Sequence, residues 1–336
     1  MWLLSTVALA QSGPETTQDP GNQQKVPIDV YEPPHPKSIK WVSGRAVKTQ
    51  GCWVELAMMV DKKGKPFEVT VIQSTGSKDF EREAIQAIQQ SPFEPGTLNG
   101  KPVASSYEFT YLAETASQEG VRKGFLVSYN SLIEDIKAGD RAAADAARKK
   151  LKITTSYEDA YFGLAAYKYA VKWEDESQQL DGLRRAIVWQ GTAHYLPQET
   201  FRYALLMRLQ LELKSRQYAE ALTTAKRLEK VGIDPETAAE LKAAAEKLDK
   251  IRTDDTSYEV AGWIPERNWF LHLFKQHFRA IVSDGNISEA KLRCEKRYDH
   301  FAFDSNLQYQ VDATKDGHCS IELIGSPGTR FRFVQF

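Results

Sequence analysis

The sequence predicts a multidomain α+β protein: a small β-β-α-β domain, a helical-hairpin stack and a small C-terminal antiparallel β domain. Three observations carry this. Residues 51–112 show strand-like alternation around hairpin turns, with Val54, Leu56, Met58 and Val60 on one face, and one short amphipathic helix between the strands. Residues 117–252 are rich in Ala, Leu, Lys, Glu and Gln, and their apolar positions recur at helical spacing. From residue 257 alternation returns, broken by Gly-containing turns. The length, 336 residues, suits about two or three domains. A formal net charge of −1 with both signs interspersed carries no nucleic-acid footprint, so no nucleic-acid partner is expected.

The chain opens on the apolar run Met1 to Ala10, ending in Ala8-Leu9-Ala10 ahead of polar Gln11-Ser12-Gly13. Residues 1–10 therefore read as a secretory signal peptide, with a disordered apolar tail as the alternative. A basic n-region is lacking, so the start reads as truncated. Ten helical residues span about 15 Å against about 30 Å of hydrocarbon, so this run does not cross a membrane as written. No cysteine follows the cleavage pattern, and no lipid anchor is implied. Residues 11–35, with Gly13, Pro14, Pro20 and Gly21, read as a flexible linker. Export from the cytoplasm is therefore expected.

In the first domain, Val54, Leu56, Met58 and Val60 share one strand face, and the turn Asp61-Lys-Lys-Gly64 leads into a second strand from Phe67 to Ser74. Ser77 or Asp79 is placed to cap a helix whose apolar positions are Phe80, Ala84, Ala87 and Ile88, and which Pro92 ends. An Asn99-Gly100 turn precedes a last strand, Val103 to Leu112. Cys52 reads as a buried small apolar residue.

The ordered series Gly51-Cys-Trp-Val54, Asp61-Lys-Lys-Gly64, Ser74-Thr-Gly76, Phe80 to Ile88, Phe93-Glu-Pro95, Asn99-Gly-Lys-Pro-Val103 and Tyr107 to Tyr111 resembles the C-terminal domain of the TonB energy-transducer family. His35-Pro36 stands where that family has Tyr-Pro, and Trp53 adds a residue to its Gly-x-Val spacing. The resemblance spans residues 36–113. It implies a protein that binds an extended segment of an outer-membrane receptor at a sheet edge, through backbone pairing. The edge expected to accept that segment is Tyr107, Glu108, Phe109, Thr110 and Tyr111. Packing of Tyr107, Phe109 and Tyr111 on the helix is the alternative role for those side chains. The family also joins its domain to the inner membrane through a long Pro-rich spacer. About twenty flexible residues reach only ~25 Å, so spacer and anchor are missing here.

Helical periodicity continues in Leu126-Tyr129-Leu132-Ile133-Ile136, Tyr157-Tyr161-Leu164-Ala165-Tyr169, Leu205-Leu209-Leu213 and Ala221-Leu222-Ala225-Leu228. Breaks fall at Gly139-Asp140, Trp173 to Glu176, Gly191 to Pro197, Ser215 and Gly232 to Pro235. Gln217-Tyr218-Ala-Glu-Ala221-Leu222 and Tyr161-x-x-Leu164-Ala165 resemble halves of tetratricopeptide repeats, in degenerate form and without the family's glycine. Residues 117–252 are thus expected to be TPR-like hairpins, either presenting a partner surface or spacing two end domains. Tyr157, Tyr161, Tyr167, Tyr169, Trp173, Trp189 and Tyr195 are expected in the packing, and Lys149-Lys150 and Arg184-Arg185 on solvated faces.

In residues 257–336, strands are expected at 278–282, 287–294, 301–303, 309–311, 319–324 and 330–336, a small sandwich or curved sheet. Asp284-Gly285-Asn286, Asp316-Gly317 and Ser326-Pro-Gly328 read as turns. Cys294 and Cys319 lie on separate strands in an oxidising compartment, where a disulfide and two buried thiols are the alternatives.

Six histidines show no metal spacing, and three cysteines show none for zinc. Asp312-x-Thr314-x-Asp316-Gly317 faintly echoes a calcium loop but has Leu323 where a bidentate Glu belongs, and reads as a turn. Nucleophile-elbow, Walker and dinucleotide patterns are absent, and the pairs Glu81/Glu83 and Asp254/Asp255 look exposed. Neither enzyme activity nor a cofactor or metal is expected. The leading reading is a periplasmic adaptor for TonB-dependent transport, whose partners are outer-membrane receptors or inner-membrane transport components. The alternatives are an energy transducer whose anchor lies upstream, and an envelope scaffold in which the small domain serves docking or a homodimer.

Overall fold

The structure, a computed structural model, describes residues 29–40, 52–74, 78–113, 120–190 and 194–336. The signal-peptide segment, most of the linker, the Ser77 cap and the side chain of Cys52 lie outside the described residues. Two short strands come first, β1 (Tyr31–Glu32) and β2 (His35–Pro36), followed by β3 (Cys52–Val60) and β4 (Pro66–Ser74). Helix α1 (Lys78–Gln89), β5 (Phe93–Glu94), β6 (Gly96–Leu98), β7 (Lys101–Val103) and β8 (Ser105–Ala113) complete the first unit. The linker expected through residue 35 ends sooner, because β1 pairs with β6 and β2 with β5. Those pairings satisfy backbone groups that a solvated linker would leave to water.

The main sheet is antiparallel, in the order β4-β3-β8. The turn joining β3 to β4 is closed by Asp61, whose Oδ1 accepts from the amides of Lys63 and Lys65, both at 2.8 Å. Val54, Leu56, Met58 and Val60 bury one face of β3 against Phe80, Ala84, Ala87 and Ile88 of α1. The opposite face is buried too: Trp53 is 2% exposed, Ala57 2% and Met59 0%. A sheet with one helix cannot cover both its faces, so the rest of the chain must supply the second cover.

The middle of the chain forms α2 (Lys123–Ala138), α3 (Arg141–Lys150), α4 (Ser156–Trp173), α5 (Glu176–Ile187), α6 (Gln198–Lys214), α7 (Tyr218–Val231) and α8 (Pro235–Thr253). Side chains of Asp140, Thr155, Asp175 and Asp234 cap α3, α4, α5 and α8 by accepting a backbone N–H, the usual N-terminal device. Helices α4 and α5 approach closely through Gly163 and Gly182. A Cβ on Gly163 would lie 2.4 Å from the Ala186 nitrogen, and one on Gly182 2.5 Å from that of Tyr167. Trp189, Tyr167, Tyr169 and Tyr195 are buried in the stack.

The last unit comprises β9 (Tyr258–Trp263), β10 (Asn268–His272), β11 (His277–Asp284), β12 (Ile287–Cys294), β13 (Tyr298–Ala302) and β14 (Tyr309–Gln310). After these come the short helix α9 (Ala313–Asp316), β15 (Cys319–Gly325) and β16 (Arg330–Gln335). Two antiparallel sheets, β10-β15-β12-β13 and β14-β11-β16-β9, enclose a core that includes Leu271, Phe278, Leu292, Ile321, Leu323 and Phe333. Two of these strands, β9 and β10, were not expected. The expected turn at Asp316-Gly317 is preceded by α9, which forms because the Asp312 side chain accepts from the amides of Thr314 and Lys315. Cys294 and Cys319 face each other across β12 and β15 and form a disulfide. The chain as a whole is a mixed α+β protein with a strand–helix unit, a helical stack and a β sandwich in that order.

Candidate functional site: the β8 edge and the junction behind it

Strand β8 lies at the rim of its sheet, paired only with β3 among the described residues. Alternation sends its side chains two ways. Tyr107, Phe109 and Tyr111 pack into the α1 core. Tyr107 meets Phe93 at a centroid distance of 5.5 Å, and Tyr111 meets Phe80 at 6.0 Å while donating its hydroxyl to the Lys40 carbonyl at 3.0 Å. Those aromatics are structural, with Tyr111 fully buried. Glu108 and Thr110 point to the second face, opposite Ala57 and Glu55 of β3. Among the described residues no strand pairs with the outer side of β8.

The second face is covered by both later units. Trp53 shares one apolar cluster with Leu183 of α5, Trp189 and Leu205 of α6. Toward the other end of the sheet, Thr70 of β4 donates to Glu322 of β15 at 2.9 Å, and Asn268 of β10 donates to the same oxygen at 2.8 Å. Arg293 of β12, 1% exposed, donates to the other Glu322 oxygen at 2.7 Å and to the Glu68 carbonyl at 3.1 Å. Lys291 pairs with the Glu68 carboxylate at 2.6 Å. Burial opposes ionisation of Glu322, but the charge and hydrogen bond of Arg293 hold its carboxyl below the ordinary range.

Between these contacts lies a charged junction. His272 of β10 holds Glu108 of β8 at 2.6 Å through Nε2 and Glu220 of α7 at 3.0 Å through Nδ1. Burial works against a charged ring there, yet the two carboxylates hold His272 well above the ordinary histidine range. Nearby Glu55 is pushed up by burial and by the charge of Glu108, with Arg184, Arg208 and His272 acting the other way. A cavity of about 390 Å³ opens beside it, lined by Trp53, Ile72, Gln73, Ser74, Asp181, Arg184 and Arg185.

Two expectations need correcting here. Arg184 and Arg185 do not sit on a solvated face. Arg185 donates through Nε to buried Asp159 at 2.8 Å, where Trp189 also donates, and Arg184 donates to Gln217 at 3.0 Å. Glu81 is 8% exposed rather than solvated, and accepts from the Ser74 hydroxyl. For the arginines, packing against α4 and α7 encloses a helix face that looks polar in isolation. His272 and Glu220 carry no local signal, being 164 and 52 residues from the partners they meet, Glu108 and His272 respectively. No group of three or more His, Cys, Asp or Glu among the described residues is arranged to hold a metal ion, and no described helix is long and apolar enough to cross a membrane.

Comparison with known proteins adds one family. Residues 45–112 match the model described as the Gram-negative bacterial TonB protein C-terminal. A similar solved structure is the solution NMR structure of the Pseudomonas aeruginosa TonB CTD, at 18% identity and a TM-score of 0.22, covering 26% of this chain and 90% of that one. No curated protein matches the chain. Residues 45–112, which include most of the β3–β4 hairpin, α1 and β8, are thus similar to the TonB C-terminal family.

Proposed function

We propose that this protein is a periplasmic adaptor of TonB-dependent transport, which takes up an extended segment of an envelope partner by strand addition to β8. The partner is an outer-membrane receptor or an inner-membrane transport component. One observation carries the reading: β8 ends its sheet with no described strand on its outer side. A strand at the rim of a sheet can act as a template for another chain. Each backbone hydrogen bond gained contributes only about 1 kcal/mol net, so a short segment binds modestly. The family match over residues 45–112 supports binding as the task of this unit. The test is titration of the ¹⁵N-labelled protein with extended receptor-derived peptides. Amide shifts clustered on residues 105–113 are expected, and shifts confined to other elements would remove the reading.

A second reading has its own support. Docking of the helical stack and the sandwich onto the second face of β4-β3-β8 fits an envelope scaffold, in which the sheet holds the chain's other units together. In that case no receptor segment moves the β8 amides at all.

A further inference from the structure

Three units meet at His272. The ring belongs to β10 of the sandwich, and its two nitrogens reach Glu108 on β8 and Glu220 on α7. A neutral imidazole has one N–H and can donate to only one carboxylate, whereas the imidazolium donates to both. We infer that His272 is a proton-dependent clasp tying the edge strand β8 to the sandwich and the helical stack, so that protonation of one ring sets how firmly the proposed docking edge is held. The clasp regulates the edge proposed above and in that sense rests on that reading, but its geometry and its test need no partner.

The surroundings favour the charged ring. The groups facing it are Glu108 from β8, Glu220 from α7 and Glu55 from β3, and the charges of Arg184 of α5 on Glu220 and Glu55 and of Arg208 of α6 on Glu55 act on those carboxylates as well. Burial penalises the Glu220 carboxylate, and the hydrogen bond and charge of His272 bring it below the ordinary range. Tyr258 is pushed up, by burial first and then by Glu220, and stays a neutral neighbour. Stabilisation from a raised histidine is complete below the unfolded value of about 6.5 and is lost as pH rises through the folded value. That from Glu220, whose folded value is lowered, is lost at the acid end as pH falls through it. The clasp is therefore closed between these limits and opens on the alkaline side when the ring loses its proton.

Opening is expected to be local. Apolar docking persists on either side, through Trp53 against the stack and through Tyr218 against Tyr258 and Phe274 at 4.8 and 5.3 Å. What loosens is the hold on β8, because Glu108 is its charged anchor to His272 of the sandwich, which in turn holds Glu220 of the stack.

The test uses the intact protein without any partner. ¹³C,¹⁵N-histidine spectra, with His272 assigned from His272→Gln, should show this ring titrating well above about 6.5. Glu108→Gln and Glu220→Gln should each lower that midpoint. Amide exchange over residues 105–113, corrected for the intrinsic pH dependence, should quicken about tenfold in His272→Gln at neutral pH, as loss of a charge-assisted hydrogen bond implies. Wild type should reach the same rate once the ring is neutral. Glu108→Gln should quicken exchange similarly, and the double variant should add nothing, since both remove one interaction. A midpoint at the ordinary histidine value, unchanged exchange in His272→Gln, or additive acceleration in the double variant overturns the clasp. Absence of peptide binding leaves these results unaffected and counts only against strand addition.

Discussion

Arg293 and Glu322 show what one buried pair does when two units close over it. The arginine is 1% exposed and the glutamate 3%, so both charges leave water and must be met by partners. Glu322 receives Arg293, Thr70 and Asn268, and the arginine also reaches the Glu68 carbonyl. That carbonyl is aimed by a local irregularity, since Glu68 has a φ of 50° where the pairing of β3 with β4 shifts register. A left-handed non-glycine residue costs on the order of 1 kcal/mol or more and persists where the surroundings hold it. Replacing Arg293 with Met strands the buried carboxylate, and the expected loss is about 3–5 kcal/mol at about pH 7. The sign with pH follows from Glu322. Its folded value is lowered in the wild type, so its contribution exists above the unfolded carboxylate range and fades as pH falls. Urea unfolding at about pH 7 and about pH 4 should therefore show a smaller penalty in acid for Arg293→Met. Adding Glu322→Leu should restore much of the loss, because an apolar pair replaces an orphaned charge. An equal penalty at both pH values contradicts this account.

Among elements, β15 carries the most constraint, with one side in the sandwich core and the other turned to the strand–helix unit. Ile321 and Leu323 face inward while Ser320, Glu322 and Ile324 face outward, and all five are buried. Its first residue is bonded to the last residue of β12 through Cys294–Cys319, with a sequence separation of 25. Closing a loop of that size removes unfolded-state freedom worth roughly 3 kcal/mol. The double variant Cys294→Ala with Cys319→Ala should lose about that much stability in chemical unfolding, and reductant should cost the wild type a similar amount while leaving the variant unchanged. A variant as stable as the oxidised wild type would mean the bond does nothing. The same element explains why part of the sandwich could be read from sequence and part could not. Segments 278–282 and 287–294 end at Asp284-Gly285-Asn286, a turn signal that marks a hairpin whatever packs on it. Strand β10, Asn268-Trp-Phe-Leu-His272, shows no clean alternation, because apolar Phe270 lies on the outward face beside Asn268 and His272 while Trp269 and Leu271 pack with the sandwich core. The helices were legible at their ends for a similar local reason. Gly139, Asp140, Asp175 and Pro235 stop, cap or start them by backbone chemistry alone.

At the scale of the whole molecule, the strand β8 was readable from its own alternation, whereas the cover on the sheet's second face was not. Met59, Ala57 and Trp53 alternate with Val54, Leu56 and Met58, so β3 reads as a nearly continuous apolar run, the pattern of a strand buried on both sides. Such a run says that a second cover exists without saying which residues make it. Trp53 identifies part of it, sharing a cluster with Leu183, Trp189 and Leu205 of the helical stack and with Tyr258 and Phe274 of the last unit. If this cluster is the common core, a cavity made at Trp53 should weaken the helices as well as the sheet it belongs to. Trp53→Ala is expected to cost about 3–5 kcal/mol, and the loss should appear in the helical ellipticity during thermal or urea unfolding. Val171→Ser on α4 is the control, since Val171 is 54% exposed and its loss should move the transition by less than about 0.5 kcal/mol. Helices that unfold at the wild-type midpoint in Trp53→Ala would mean the stack is stable on its own and merely touches the sheet. A shared shift of helical and tertiary signals would instead show the sheet face acting as the seat on which the stack is built.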